Sequence, residues 1–402
     1  MTQFQDSYTY VIVGAGVAAA SAVAGIREED GTGSVVVLGA EPDPPVYRPD
    51  LSKTLWLDAD ASLEDAALDV TGEGVELHTS STVVAIDLDG HRVELADGTR
   101  IGFEHLLIAT GASPRTGPIA PGPRVIHYRT SADYRALRAM ATPGAHVAVV
   151  GGGYIGGEIA SALLQNDVEV TLVLPHGSVQ PGMLPSDLSD RVTRKLAAKG
   201  ARIVTGRLAG GSEDEDSVAL TLEDGGEIIA DAVVVGIGVT PNTSLAQETG
   251  IEVDDGIVVD ELLRTSAADV FAAGDVASYP DALLGRRRVE HVDNAETMGK
   301  VAGRAMAGDL TGYEHTPFFW SDLLEDGYEA IGDLDASRVL REDASEDGSA
   351  EVVLYGDDGS VRGVLLWNTW DSVDAARELI AETREHPVVG PEDLRGRITP
   401  GG

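Results

Sequence analysis

Twice in this chain an apolar strand runs into a glycine-rich turn and on into a helix of small residues, and that repeat constrains the fold more than any other feature. The first copy reads strand Tyr10 to Gly14, turn Gly14-Ala15-Gly16-Val17-Ala18-Ala19, helix Ala15 to Arg27, and a returning strand Val35 to Leu38. In the second, the strand His146 to Val150 meets Gly151-Gly152-Gly153-Tyr154-Ile155-Gly156; a helix from about Tyr154 to Gln165 and a strand Glu169 to Leu174 follow. In such a turn the first glycine permits the tight bend, and the second lets backbone N–H groups approach a pyrophosphate. The small sixth residue lets helix and strand pack closely. Two units of this kind predict two dinucleotide-binding folds in an α/β chain.

The rest of the chain is organised around these units. At 402 residues there is room for two or three well-buried domains at about 150 residues each. Strands are expected at Thr82 to Asp87, Arg92 to Leu95, Leu106 to Thr110 and Val270 to Ala273, with a helix from about Asn294 to Met306. Four prolines between Ser113 and Pro123 mark a linker. Beyond Thr316, strands Glu351 to Tyr355 and Val361 to Trp367 and a helix from Val373 to about Arg384 suggest a small α+β domain. An acidic segment, Arg341 to Ser349, is expected to be a mobile loop. The domains expected are therefore 1–118 with 252–315, then 119–251, then 316–402.

Composition removes several function classes. The sequence has no cysteine, so disulfides, thiolate metal sites and dithiol redox chemistry are closed to it. With 67 Asp+Glu against 29 Lys+Arg the net charge is -38, which repels nucleic-acid phosphate and anionic membrane. Such a balance reads either as an ordinary acidic cytosolic protein or, the favoured reading, as one from a salt-rich, halophilic cytoplasm, because the Debye length is about 3 Å in molar salt and self-repulsion is then screened. No stretch reaches the roughly 18 apolar residues of a membrane span, and the first ten residues do not read as a signal sequence. A cytoplasmic location is expected, and no metal site.

Three further features point to chemistry. The strand returning from the first turn leads to Glu41, whose carboxylate could accept hydrogen bonds from ribose hydroxyls. The second unit ends instead in Leu174-Pro175-His176, with no carboxylate for an adenosine 2′-OH. The loop Tyr47-Arg48-Pro49-Asp50-Leu51-Ser52-Lys53 carries two cations suited to a pyrophosphate or an anionic ring. Lys53 is one of only four lysines, at 53, 195, 199 and 300, in an arginine-biased chain. The run Arg286-Arg287-Arg288 reads either as a docking patch for an acidic redox protein or as local neutralisation.

Eight ordered blocks then resemble pyridine-nucleotide flavin oxidoreductases of the ferredoxin- and rubredoxin-reductase type, and most nearly apoptosis-inducing-factor-like proteins. They are YRPDLSKTLW from Tyr47, LLIATGASPR from Leu106, VVGGGYIGGEIA from Val149, VGIGVTPN from Val235, DVFAAGDVA from Asp269, GRRRVEHVDNAETMGKVAG from Gly285, FWSDLLEDGYEAIG from Phe319 and GVLLWN from Gly363. The resemblance implies two Rossmann-like domains of the glutathione-reductase type plus a small α+β C-terminal domain, with FAD and NAD(P)H as cofactors; NADH is favoured. The lean to NADH comes from the second turn itself, where a lone His176 is more often surface filler than a 2′-phosphate ligand. The resemblance implies FAD contacts from Gly14, Ala15, Gly16, Glu41, Arg48 and Lys53. Further FAD contacts fall on Val83, Ala109, Thr110, Gly111, Arg115 and Asp275, the last on a strand's C-terminal end, where ligands of α/β folds sit. The nicotinamide nucleotide falls to Gly152, Gly153, Tyr154, Ile155, Glu158, Gly238, Glu290, His291 and Trp320.

The same resemblance gives the reaction to Lys53, Glu158, His291 and Trp320, with Glu158 in the first turn of its helix and paired to Lys53. Where His176 stands, the family pattern has an acid. The implied activity is hydride transfer from NAD(P)H to FAD and onward transfer to a ferredoxin- or rubredoxin-like carrier or a quinone, in a protein that could act as a homodimer. The rival reading is an NADH-sensing flavoprotein with slow reduction, a charge-transfer complex and redox-linked dimerisation.

Overall fold

Runs of valine, isoleucine and leucine with no polar alternation make strands that are buried on both faces, as a parallel sheet between helices requires. The strands Val35–Leu38 and Ala232–Val235 have all four residues buried. The computed structural model describes residues 4–401. The chain groups into two units. One holds the residues up to Tyr47 together with Leu63–Ser113 and Thr240–Pro317; the other holds Arg48–Ser62, Pro114–Val239 and everything from Phe318 on.

In the first unit, parallel strands lie in the order Val75–His78, Val35–Leu38, Ser7–Val13, Arg100–Ile108 and Val270–Ala272. The strand expected at Leu106 to Thr110 begins earlier, at Arg100, because its first residues pair antiparallel with Arg92–Leu95, itself paired to Val83–Asp87. Helix Val17–Glu29 starts after Gly16, whose extended backbone makes it the N-cap and sets the start two residues past the expected Ala15. Helix Val292–Met306 lies against it with glycine in the contact: a Cβ on Gly299 or Gly303 would overlap the backbone of Ala18 or Ala22.

The second unit carries a parallel sheet in the order Arg202–Thr205, Glu169–Leu174, His146–Val150, Ala232–Val235 and Val125–Ile126. Helix Tyr154–Gln165 follows its glycine turn where the sequence places it. Antiparallel strands Phe318–Leu323, Asp326–Gly332, Ser360–Trp367, Glu351–Asp357 and Val339–Ala344 form a second sheet, followed by helix Val373–Glu385. The segment Arg341 to Ser349 is not loop throughout. Its first half belongs to the edge strand Val339–Ala344, where Arg341 neutralises Asp343 at 2.5 Å, and its second half is a turn closed by Asp347 and Ser345. An edge strand tolerates such a charged face.

The loop Arg48–Ser62 is pinned inside the second unit. Trp56 donates from Nε1 to the Leu51 carbonyl at 2.9 Å, meets Tyr134 edge-on at 5.7 Å and carries the Arg138 guanidinium 4.9 Å over its ring. Tyr128 donates to the same carbonyl, and Asn166 to that of Trp56 at 3.0 Å. Arg48 donates to the Arg129 carbonyl at 2.8 Å. The cation-bearing loop is thus fixed by aromatic packing and satisfied carbonyls.

Candidate functional site

The first unit gathers its candidate residues at the carboxyl ends of its parallel strands, where α/β folds bind ligands. Gly14 has φ +111°, and a Cβ there would overlap the Ala109 carbonyl, so only glycine fits the turn. Gly16 caps the helix with no side-chain hydrogen bond and has open space where a Cβ would be. The first N–H groups of a 13-residue helix start at this turn with the dipole's positive end behind them, which suits an anion. Ala15 follows Gly14 in this turn, and Glu41 lies three residues beyond the strand Val35–Leu38, half-buried. Val83 opens the strand opposite Leu95.

Ala109, Thr110 and Gly111 continue from Ile108. Thr110 Oγ1 donates to the Asn242 carbonyl and Asn242 Nδ2 returns to the Thr110 carbonyl, each at 2.8 Å. Asp275 is buried just past the strand Val270–Ala272, behind Gly274 in the left-handed region.

Glu290 and His291 sit at the start of helix Val292–Met306, with His291 as N-cap. Burial, aided by the Arg287 guanidinium, pushes the His291 imidazole down to about 4 against the opposing pull of Asp275 and Asp293. At neutral pH the ring is uncharged. Arg286 donates to the carbonyls of Val259 and Ser278. Arg288 reaches the Asp275 carbonyl at 3.2 Å and Glu290 Oε1 at 2.7 Å. Arg286 and Arg288 of the basic run therefore serve carbonyls and carboxylates of their own unit.

The second unit repeats the cradle. Gly151 has φ +103° with the Gly236 carbonyl where a Cβ would be, and Gly153 caps helix Tyr154–Gln165 with open space around it. Gly152 lies between them, and Tyr154 and Ile155 stand exposed at the helix start, 41% and 38%. Tyr154 meets Phe319 edge-on at 5.2 Å. Gly238 and Arg115 come together, Arg115 N donating to the Gly238 carbonyl at 2.9 Å and Nε to that of Val239 at 3.1 Å. Trp320 is half-buried, 6.0 Å from Phe318 between ring centres. His176 is exposed past the strand Glu169–Leu174, and no carboxylate occupies that turn.

Glu158 lies in the second turn of its helix rather than the first, because the helix begins at Tyr154. It is 4% exposed and pairs with Lys53, Nζ to Oε1 2.5 Å. Two serines that the sequence reading passed over complete its shell. Ser52 Oγ donates to Oε2 at 2.6 Å and Ser321 Oγ to Oε1 at 2.7 Å. Burial raises the carboxyl of Asp322 above its usual range, Glu158 adding to the rise and Lys53 opposing it. Both serines fall inside family-like blocks, those from Tyr47 and Phe319, yet separations of 106 and 163 residues hide their common partner from any local pattern. Among the described residues no cluster of His, Asp or Glu could hold a metal ion, and no helix is long and apolar enough to cross a membrane.

Comparison with known proteins gives the chain's family and fold. Residues 8–299 match the family described as Pyridine nucleotide-disulphide oxidoreductase. The chain is 37% identical over 388 residues to the ferredoxin–NAD(+) reductase component of the anthranilate 1,2-dioxygenase system of Burkholderia cepacia, covering 92% of this chain and 94% of that one. It is 32% identical to mitochondrial apoptosis-inducing factor 1 of Dictyostelium discoideum, covering 94% and 79%. The crystal structure of the ferredoxin reductase for the CYP199A2 system from Rhodopseudomonas palustris superposes with a TM-score of 0.85 at 29% identity, covering 96% of each chain. With its two glycine cradles and its length spanned by such relatives, the chain belongs to the pyridine nucleotide-disulphide oxidoreductase family, whose ferredoxin reductases use FAD and NAD(P)H.

Proposed function

We propose that this chain is an NAD(P)H-dependent FAD oxidoreductase that hands electrons to a ferredoxin-like carrier protein. The observation that carries the reading is the pair of uncapped helix starts behind Gly16 and Gly153, one in each unit, each shaped for a pyrophosphate. The first cradle, with Glu41, Thr110 and Asp275, would hold FAD, and the second, with Tyr154 and Gly238, the nicotinamide nucleotide. Bound together, the two cofactors supply the two-electron chemistry.

The chain's own residues supply position and charge. Arg48 and Lys53 present cations from a pinned loop, Lys53 opposite the Glu158 carboxylate. His291 offers an uncharged imidazole, so it can donate or accept a hydrogen bond without adding charge. No cysteine is present to pass electrons through an internal disulphide. NADH is the donor proposed, because the Burkholderia relative is a ferredoxin–NAD(+) reductase component.

Anaerobic rapid mixing of the purified flavoprotein with NADH and, separately, NADPH in high salt tests this reading. Rapid bleaching of the flavin with one nucleotide, followed by ferredoxin-dependent reduction of cytochrome c, is expected. Protein purified without flavin, or slow bleaching that leaves a persistent long-wavelength band and no cytochrome c reduction, would overturn it.

A further inference from the structure

Glu158 is held on both of its oxygens by groups from outside its own helix. Ser52 reaches Oε2 from the loop before Lys53, and Ser321 reaches Oε1 from the strand Phe318–Leu323, beside the Lys53 ammonium. Ser321 is fully buried and Ser52 is 4% exposed, so water does not take their place easily. Each hydroxyl has one proton to give. For Ser52 the other acceptor within reach, the Pro49 carbonyl, lies at 3.4 Å against 2.6 Å for the carboxylate.

The shell continues toward the second glycine turn. Tyr328, paired across the sheet with Ser321, donates to Gln180 Oε1 at 3.1 Å. Gln180 N in turn donates to the Gly152 carbonyl at 2.8 Å.

A buried carboxylate facing one cation has a free oxygen and two ways to turn, and the cation turns with it. Charge-assisted hydrogen bonds from two neutral hydroxyls remove that freedom without adding a second cation that would compete with the first. We propose that Ser52 and Ser321 are positioning residues that clamp Glu158 by both oxygens and so fix the Lys53 ammonium in one place. The inference rests on the reading of Lys53 as the cation beside the flavin.

The test introduces Ser52→Ala, Ser321→Ala and both together into the wild type and into Lys53→Ala, checking flavin content by its visible absorbance. Two quantities are read: the limiting rate of flavin reduction at saturating nucleotide and the midpoint potential of the bound flavin. In the wild type each serine variant should slow the limiting rate about tenfold, the worth of one hydrogen bond to a charge. It should also move the potential to a more negative value, with the apparent nucleotide Kd nearly unchanged. In the Lys53→Ala background neither serine variant should change rate or potential further. Equal losses in both backgrounds, or a loss confined to Kd, would overturn the clamp while leaving Lys53 in its role. Wild-type rate and potential in Lys53→Ala alone would overturn the flavin-side reading and the clamp with it. Should Ser321→Ala lose its flavin, Ser52→Ala touches the other oxygen and carries the same expectations.

Discussion

At the scale of single residues, the space around the backbone decides which positions of the two glycine turns can vary. Gly14 and Gly151 announce themselves because only glycine tolerates both the backbone angle and the carbonyl beside it. The partnership of Lys53 with Glu158 was legible through family likeness alone. Ser52 and Ser321 were not legible at all, since a serine carries no local signature of what it will touch 106 or 163 residues away. His291 supplies a prediction at this scale. Its folded-state value is depressed to about 4 from 6.5, so below about pH 6.5 the unfolded chain binds the proton first. Its contribution is whole above that pH and is lost as the pH falls toward 4. Urea unfolding from pH 7.5 to 4 should show the wild type losing stability relative to His291→Gln across that window, with a constant difference above it.

Elements were legible in proportion to how much of their stability is local. Helix Tyr154–Gln165 and strands His146–Val150 and Glu169–Leu174 match their expected bounds because apolar runs, a glycine start and a turn agree. The strand Arg100–Ile108 was half missed, because its first residues are ordered by a hairpin partner rather than by their own pattern. The charged edge strand Val339–Ala344, which overlaps the loop expected at Arg341 to Ser349, likewise lacks a pattern of its own, its neighbour Glu351–Asp357 imposing the ladder. The helix pair of the first unit makes the sharpest prediction here. In Gly303→Ala the new methyl meets the Ala22 carbonyl, and the helices must separate. Overpacking of this kind costs about 1–3 kcal/mol, to be read as a lowered urea midpoint, and the displaced N-terminus of Val17–Glu29 should lower flavin content.

For the whole molecule the dominant quantity is charge. At -38 the folded chain repels itself, and the ion pairs seen on its surface are mostly exposed and weak. Raising KCl from 0.1 M to 1 M shortens the Debye length from about 10 Å to about 3 Å. The melting temperature should therefore climb with salt well past 0.15 M, and a flat response would remove the salt-adapted reading. The same screening should speed encounter with an acidic carrier and slow encounter with a basic one, so the salt slope of cytochrome c reduction reports the carrier's sign.

The division of the chain into interleaved segments has a consequence for biosynthesis. The polypeptide passes from one unit to the other at residues 47, 62, 113, 239 and 317, so no single cut releases a complete unit. The helix Val292–Met306 that covers the small-residue face of Val17–Glu29 is among the last pieces of the first unit to be made. At about 5–20 residues per second a ribosome needs roughly 13–53 s to travel from the one helix to the other. For that time the N-terminal half-unit waits with an apolar face uncovered, a client for holdase chaperones and a reason to expect that truncated or permuted forms will aggregate rather than fold.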